Sequence, residues 1–170
     1  HSGGLGDDVT LWGCDYNATL IERASALAKQ ESLRCSFVVA NAFRLGEPAT
    51  IFMSTGVLHH FRDGDLDRFF AAQAGSGAVA FLHSDTKASW LAPLGSWLFH
   101  EARMREPLAR HDGILSAVRA HPGARLASSA HSVCDDFWIG VFDGKEELFP
   151  VLSVLQTLVG VRRPWADAVR

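Results

Sequence analysis

The sequence predicts an α/β fold built on a mostly parallel sheet, and three observations predict it. Short β-branched and aromatic runs recur at Val9–Asp15, Cys35–Ala40, Ile51–Ser54 and Ala78–His83. Stretches with apolar residues three and four apart separate the first pair and the last pair of runs, which is the pattern of βαβ units with crossover helices. The first three runs also end in small polar or acidic residues, as strands do when a ligand binds beyond their carboxyl ends.

Each element has a local cause. Asn17 can cap a helix whose positions Leu20, Ile21, Ala24, Leu27 and Ala28 form one apolar face, ending near Lys29-Gln30. Gly46-Glu47-Pro48 makes the loop before the third run. Asp63-Gly64-Asp65 reads as a turn and cap before Leu66, Phe69, Phe70 and Gln73, a helix closed by Gly75 and Gly77. Trp90, Leu91, Leu94, Trp97, Leu98 and Phe99 give a broad apolar helical face, interrupted by Pro93 and stopped before Pro107. A further helix is expected over 112–120, with Asp112 as its cap, ended by His121-Pro122-Gly123. These two form a helical cap over roughly 87–120. Two β-runs, Arg125–Val133 and Phe137–Phe142, are expected to make an antiparallel hairpin through Cys134-Asp135-Asp136, followed by an amphipathic helix over Lys145–Val159.

Composition narrows the function classes. The 170 residues are 48% hydrophobic and 21% charged, enough for one domain with a sizeable core. A net charge of −3, with basic residues scattered except for Arg162-Arg163, argues against a nucleic-acid surface. No apolar run approaches the ~20 residues of a membrane span, and no signal peptide is legible, so a cytoplasmic protein is expected. Cys14, Cys35 and Cys134 show no zinc spacing, and Cys14 and Cys35 read as buried reduced thiols. His59, His60 and His83 lack the i, i+4 spacing of a helical metal site, so no metal is expected.

The strand ends carry the chemistry. Asp15, beside Tyr16, stands where a carboxylate can accept from both hydroxyls of a ribose. Asn41, an amide, can donate to a purine ring nitrogen and accept from an amino group, with Ala42-Phe43 adding apolar contact. Ser54-Thr55-Gly56 ends the third run, and Gly56 permits close backbone approach. Leu58-His59-His60-Phe61 follows; adjacent histidines point in different directions, so one at most faces a substrate, and it could serve as a base or fix the loop.

In this order of strand ends, and in the Leu-His-His segment, the chain resembles class I S-adenosylmethionine-dependent methyltransferases of the small-molecule branch. The resemblance covers roughly Val9–Phe142 and is strongest from Asp15 to His60. It implies a Rossmann-like sheet, mostly parallel, with a C-terminal antiparallel hairpin and a helical insertion after the fifth strand, in a single domain. It implies S-adenosylmethionine as cofactor, with Asp15 and Tyr16 on the ribose, Asn41, Ala42 and Phe43 on the adenine, and Ser54, Thr55 and Gly56 on the methionyl side. His59 and His60 are the candidate catalytic residues, and His83-Ser84-Asp85 opens toward the acceptor. Arg110–Ser116 resembles the stretch that follows the helical cap. The implied acceptor is a small molecule, apolar or aromatic in view of Trp90, Trp97 and Phe99.

The chain departs from the family in lacking the first strand and its glycine-rich turn, which Gly3-Gly4-Leu5-Gly6 does not replace. In the family that strand lies between the second and fourth. Two strand edges are therefore expected to want a partner, from an upstream segment or from a second copy in a homodimer, unless the sheet closes up differently. Two other readings compete: a non-catalytic methyltransferase-like module acting through its Trp-rich face, and a nicotinamide-dependent oxidoreductase, disfavoured because the dinucleotide glycine turn and its following acid do not occur together.

Overall fold

Asn17 behaves as its sequence position predicts. Its Oδ1 accepts from the backbone N–H groups of Thr19 at 3.0 Å and Leu20 at 3.3 Å, satisfying donors that the first helical turn leaves over. The computed structural model describes residues 9–44, 46, 48–90, 92–95, 97, 106–143 and 154–166. They belong to two compact units, 1–47 and 48–170.

In the first unit, β1 (Leu11–Asp15) is followed by α1 (Ala18–Gln30) and β2 (Cys35–Val39). The strands pair in parallel, Leu11 against Cys35 through Asp15 against Val39. This is one βαβ unit. Gly13 is needed where it stands, because a Cβ there would lie 2.8 Å from the Phe37 ring. Cys14 is exposed and Cys35 half-buried, against the expectation of buried thiols. A two-stranded sheet covered by one helix has too little apolar matter to bury both faces.

The second unit carries a four-stranded sheet in the order β3-β4-β6-β5. β3 (Ile51–Thr55) runs parallel to β4 (Ala80–Thr86), while β6 (Leu155–Arg162) is antiparallel to both β4 and β5 (Phe137–Phe142). A 3-10 turn, Leu58–His60, and α2 (Asp63–Gly75) connect β3 to β4. Two further helices, α3 (Pro107–Arg119) and α4 (Gly123–His131), precede β5, and a short α5 (Arg163–Ala166) follows β6. The sheet is mixed, as expected. β3 is not a buried strand: Ile51 and Met53 are exposed and alternate with half-buried neighbours.

Four expectations are corrected here. Residues 125–131 are helical, not β: Leu126, Ser129 and Ala130 are buried at helical spacing, and the segment's Ala, Leu and Ser residues lack the β-branching a strand favours. Phe137–Phe142 accordingly finds its antiparallel partner in Leu155–Arg162, so residues 155–159, expected as the end of a helix, are strand. Within that strand Gln156, Leu158 and Gly160 alternate as the buried set. Residues 145–153 of the expected helix lie outside the described residues. Asp112 is no cap, since α3 begins five residues earlier with Pro107 in its first turn. Similarly α2 begins at Asp63 itself, after Arg62, rather than after a capping turn.

The core lies between β4–β6 and the helices α2 and α4. Phe70, Phe81, Leu66, Leu126 and Leu158 are fully buried, and the Phe81 ring stacks between Phe70 at 5.7 Å and Phe137 at 5.4 Å. Gly160 makes room for it: a Cβ there would fall 2.2 Å from Phe81 Cζ. Arg162 closes the lower end, its guanidinium 4.7 Å from the Phe137 ring centroid and its Nε and Nη2 donating to the carbonyls of Ala78 and Ala74 at 3.0 Å.

A polar tie crosses this core. His83 is 1% exposed; its Nε2 is 2.9 Å from Gln73 Oε1 and its Nδ1 2.8 Å from Ser54 Oγ. Gln73 Oε1 can only accept, so Nε2 carries the proton and Nδ1 accepts from Ser54. Burial drives the His83 pKa down from 6.5 to about 3, against a smaller upward pull from Asp85. The folded protein therefore keeps His83 neutral while the unfolded chain protonates it below pH 6.5. Stability is full above that pH and falls by about 1.4 kcal/mol per pH unit from His83 alone as pH drops toward about 3. Chemical denaturation across this range should show that slope, and His83→Gln should flatten it. Separately, Gly160→Ala should destabilise by about 1–3 kcal/mol, because the aromatic stack cannot shift to admit a methyl group; a melt unchanged from wild type would contradict the packing described.

Candidate functional site

In the first unit the strand ends are adjacent. Asp15 pairs with Val39, and the Ala40 N–H donates to the Asp15 carbonyl at 3.0 Å. Asp15 and Asn41 thus stand at the same end of neighbouring parallel strands. The Asp15 carboxylate is exposed and accepts from the Asn17 N–H through Oδ1 at 2.7 Å. That bond fixes the side chain and leaves the second oxygen as an acceptor. Asn41 Oδ1 accepts from the Phe43 N–H at 2.9 Å, a local turn that holds the amide in place. Its acceptor side is thereby partly engaged, and the NH2 group is the stronger recognition element it offers. Tyr16 is 79% exposed at the same rim, and Ala42 and Phe43 are half-buried in the turn.

In the second unit, β3 leads through Ser54, Thr55 and Gly56 into the 3-10 turn. Ser54 turns its hydroxyl to His83, so its side chain serves the core tie. Gly56 has φ +68°, a left-handed conformation that favours glycine, and its N–H donates to Ser84 O at 2.9 Å. A Cβ at Gly56 would sit 3.9 Å from His59 Cε1, so the glycine backbone runs alongside the imidazole edge.

The two histidines separate. His60 is exposed, while His59 is 7% exposed and held on β4 by Asp85, itself 2% exposed. The His59 backbone N–H donates to Asp85 Oδ2 at 2.9 Å, and His59 Nδ1 lies 2.7 Å from Asp85 Oδ1. The Thr86 N–H adds a third bond to the carboxylate at 2.6 Å. A buried carboxylate so satisfied orients the ring and fixes its Nδ1 proton. On the far side, His59 Nε2 is 3.0 Å from Ser116 Oγ on α3. The order is Ser116–His59–Asp85, a hydroxyl, an imidazole and a carboxylate in one hydrogen-bonded line.

Asp85 and Ser116 lie in segments that resemble the family, His83-Ser84-Asp85 and Arg110–Ser116, but the sequence assigns neither residue a role of its own. Asp85 had a signal, lying at the end of a strand in the His83-Ser84-Asp85 segment. Nothing in the sequence ties Ser116 to His59, because 57 residues separate them.

Beyond Ser116, α3 lines an open cavity of about 410 Å³, bounded by Ala88, Ser89, Trp90, Pro93, Ala117, Val118 and Ala120. Trp90 is 87% exposed and Trp97 48% exposed; Phe99 lies outside the described residues. No helix among the described residues is long and apolar enough to cross a membrane.

No protein-family model matches the sequence, and no curated protein matches it. Solved structures do. The chain is similar to a putative O-methyltransferase from Nostoc punctiforme, at 15% identity and a TM-score of 0.60, over 91% of this chain and 44% of that one. It is similar to magnesium protoporphyrin IX methyltransferase from Synechocystis with bound S-adenosylhomocysteine, at 14% identity and a TM-score of 0.60, over 90% of this chain and 64% of that one. A third is the plantazolicin methyltransferase BamL, in complex with a substrate analogue and S-adenosylhomocysteine, at 10% identity and a TM-score of 0.64, over 92% and 69%. The chain spans about half to two thirds of the length of the first two. At these identities the likeness is one of fold, and the chain has the α/β fold of these methyltransferases.

Proposed function

We propose that the chain acts in the transfer of a methyl group from S-adenosylmethionine to a small apolar or aromatic acceptor. The observation that carries this reading is the pairing of an exposed carboxylate, Asp15, with an amide, Asn41, at one end of two parallel strands. The fold, shared with methyltransferases, supports it.

The residues of the first unit fit the adenosine part of the cofactor. Asp15 has a free-standing oxygen for the ribose hydroxyls, with Tyr16 beside it. The Asn41 NH2 group would donate to the adenine edge, with Ala42 and Phe43 as apolar neighbours. In the second unit, by itself, Thr55 and Gly56 offer backbone rather than side chain at the end of β3, and Ser54 contributes its backbone alone. When bound, S-adenosylmethionine supplies an electrophilic methyl group on a sulfonium. What the chain must add is alignment and, for a hydroxyl acceptor, a base. His59 is that base in our reading: Asp85 holds it and would stabilise the imidazolium formed when it takes a proton. His60, exposed and in ring contact with His59 at 4.2 Å, has no comparable side-chain support among the described residues. The Trp90-lined cavity would take the acceptor.

A competing reading, a non-catalytic module working through the exposed Trp90, Leu94 and Trp97, draws on their 87%, 53% and 48% exposure. Calorimetric titration of the full-length protein with S-adenosylhomocysteine separates the two. Binding is expected, and Asp15→Asn, which keeps the bond to Asn17 but loses the charge, should weaken it by ~10- to 100-fold, the worth of a charged hydrogen bond. No heat with intact protein would favour the interaction module. For His59→Asn, methyl transfer to phenol as a probe acceptor should fall by about 100-fold or more while S-adenosylhomocysteine affinity stays level. An equal loss of both would reduce His59 to a structural role.

A further inference from the structure

His59 cannot meet an acceptor unaided. It is 7% exposed, its Nδ1 is engaged by Asp85, and its Nε2 faces Ser116. Ser116 is the outermost member of the line: it is half-buried and belongs to α3, the helix whose next two residues, Ala117 and Val118, line the cavity.

The Ser116 hydroxyl has two places for its single proton. Oγ is 3.0 Å from His59 Nε2 and 2.9 Å from the Asp112 carbonyl, four residues back in α3. With His59 neutral and Nδ1 protonated against Asp85, Nε2 is an acceptor and the hydroxyl donates to it. With His59 doubly protonated, Nε2–H donates to Oγ and the hydroxyl turns to Asp112 O. Both protonation states are therefore satisfied without moving a heavy atom. Among the described residues, the groups facing His59 are Asp85 from β4, His60 from its own turn, and Ser116 from α3, whose hydroxyl also reaches the Asp112 carbonyl. His83, on the same strand as Asp85, is neutral above about pH 3 and adds no charge.

A nucleophilic role for Ser116 does not fit. The residue lies inside α3, where neighbouring N–H groups are bonded within the helix, so no oxyanion donors converge on it.

We infer that Ser116 is the acceptor-facing end of a proton relay, Ser116–His59–Asp85. The inference rests on the methyltransferase reading. In the step, a hydroxyl acceptor gives its proton to Ser116 Oγ while the serine's own proton passes to His59 Nε2. The acceptor oxygen forms the bond to the methyl carbon, and the electron pair of the broken carbon–sulfur bond stays on sulfur. His59 leaves the step as an imidazolium against Asp85 and loses its proton to solvent through the same hydroxyl and the open cavity.

The test uses full-length protein labelled with [15N]histidine, with phenol as the hydroxyl probe. In the wild type, phenol should shift the His59 Nε2 resonance even without cofactor. Ser116→Ala should abolish that response and lower the rate of phenol methylation by at least 10-fold, with the KM for S-adenosylmethionine unchanged and the acidic limb of the pH–rate profile displaced. Ser116→Thr and Ser116→Val have the same shape and differ by one hydroxyl, so Thr should restore both readouts to within about threefold and Val should not, which separates the relay from packing. A wild-type Nε2 resonance indifferent to phenol, or equal behaviour of the Thr and Val variants, overturns the relay. Absence of S-adenosylhomocysteine binding overturns the methyltransferase reading instead, and the resonance experiment tells the two failures apart.

Discussion

The second unit depends on one carboxylate. Asp85 ends the inner face of β4 almost wholly buried, where an unpaired charge would cost several kcal/mol. It is matched by three donors, two of them from His59. This double grip, on the backbone and on the ring, docks the 3-10 turn onto the strand end. The left-handed Gly56 makes the grip reachable, since the chain must reverse sharply after β3 for His59 to fall beside β4. The ring then has a single orientation, and its second nitrogen is delivered to α3.

Two histidines on adjacent structural levels show how environment assigns a role. His83 lies two residues before Asp85 on the same face of β4, but deeper, between Ser54 and Gln73. Burial leaves it neutral, so it can serve only as a fixed hydrogen-bond bridge between β3, β4 and α2. His59 sits at the rim, against a carboxylate, with a hydroxyl beyond it. The same side chain is a buried strut in one place and, in the other, a ring held between a carboxylate and a hydroxyl, because of what each nitrogen faces.

Arg162 and Gly160 show a related dependence in the sheet. β6 enters late in the chain yet lies centrally, between β4 and β5. Its glycine admits the Phe81 ring, and its arginine gathers the carbonyls at the end of α2, with Asp136 and the Phe137 ring beside it. The core is thus closed by the last described strand, and the stability of the site-bearing strand β4 is tied to residues some eighty positions downstream.

Local chemistry determined the elements that the sequence makes legible. Asn17, the spacing of Leu20, Ile21 and Ala28, and the β-branched runs at β1 to β4 act over a few residues, so they could be read directly; so could Asp15 and Asn41, because parallel pairing of βαβ strands puts their ends together. Residues 125–131 and 155–159 were misread because short apolar runs suit either element, and only the pairing of β5 with β6 decides between them. Tertiary structure alone decided which histidine is held in place. Leu58-His59-His60 offers two equivalent side chains, and the choice falls to Asp85 and Ser116, 26 and 57 residues further along the chain. A hydrogen-bond line assembled from three separate elements leaves no periodicity in a sequence, since its members are brought together by the packing of a strand and a helix and by no spacing of their own.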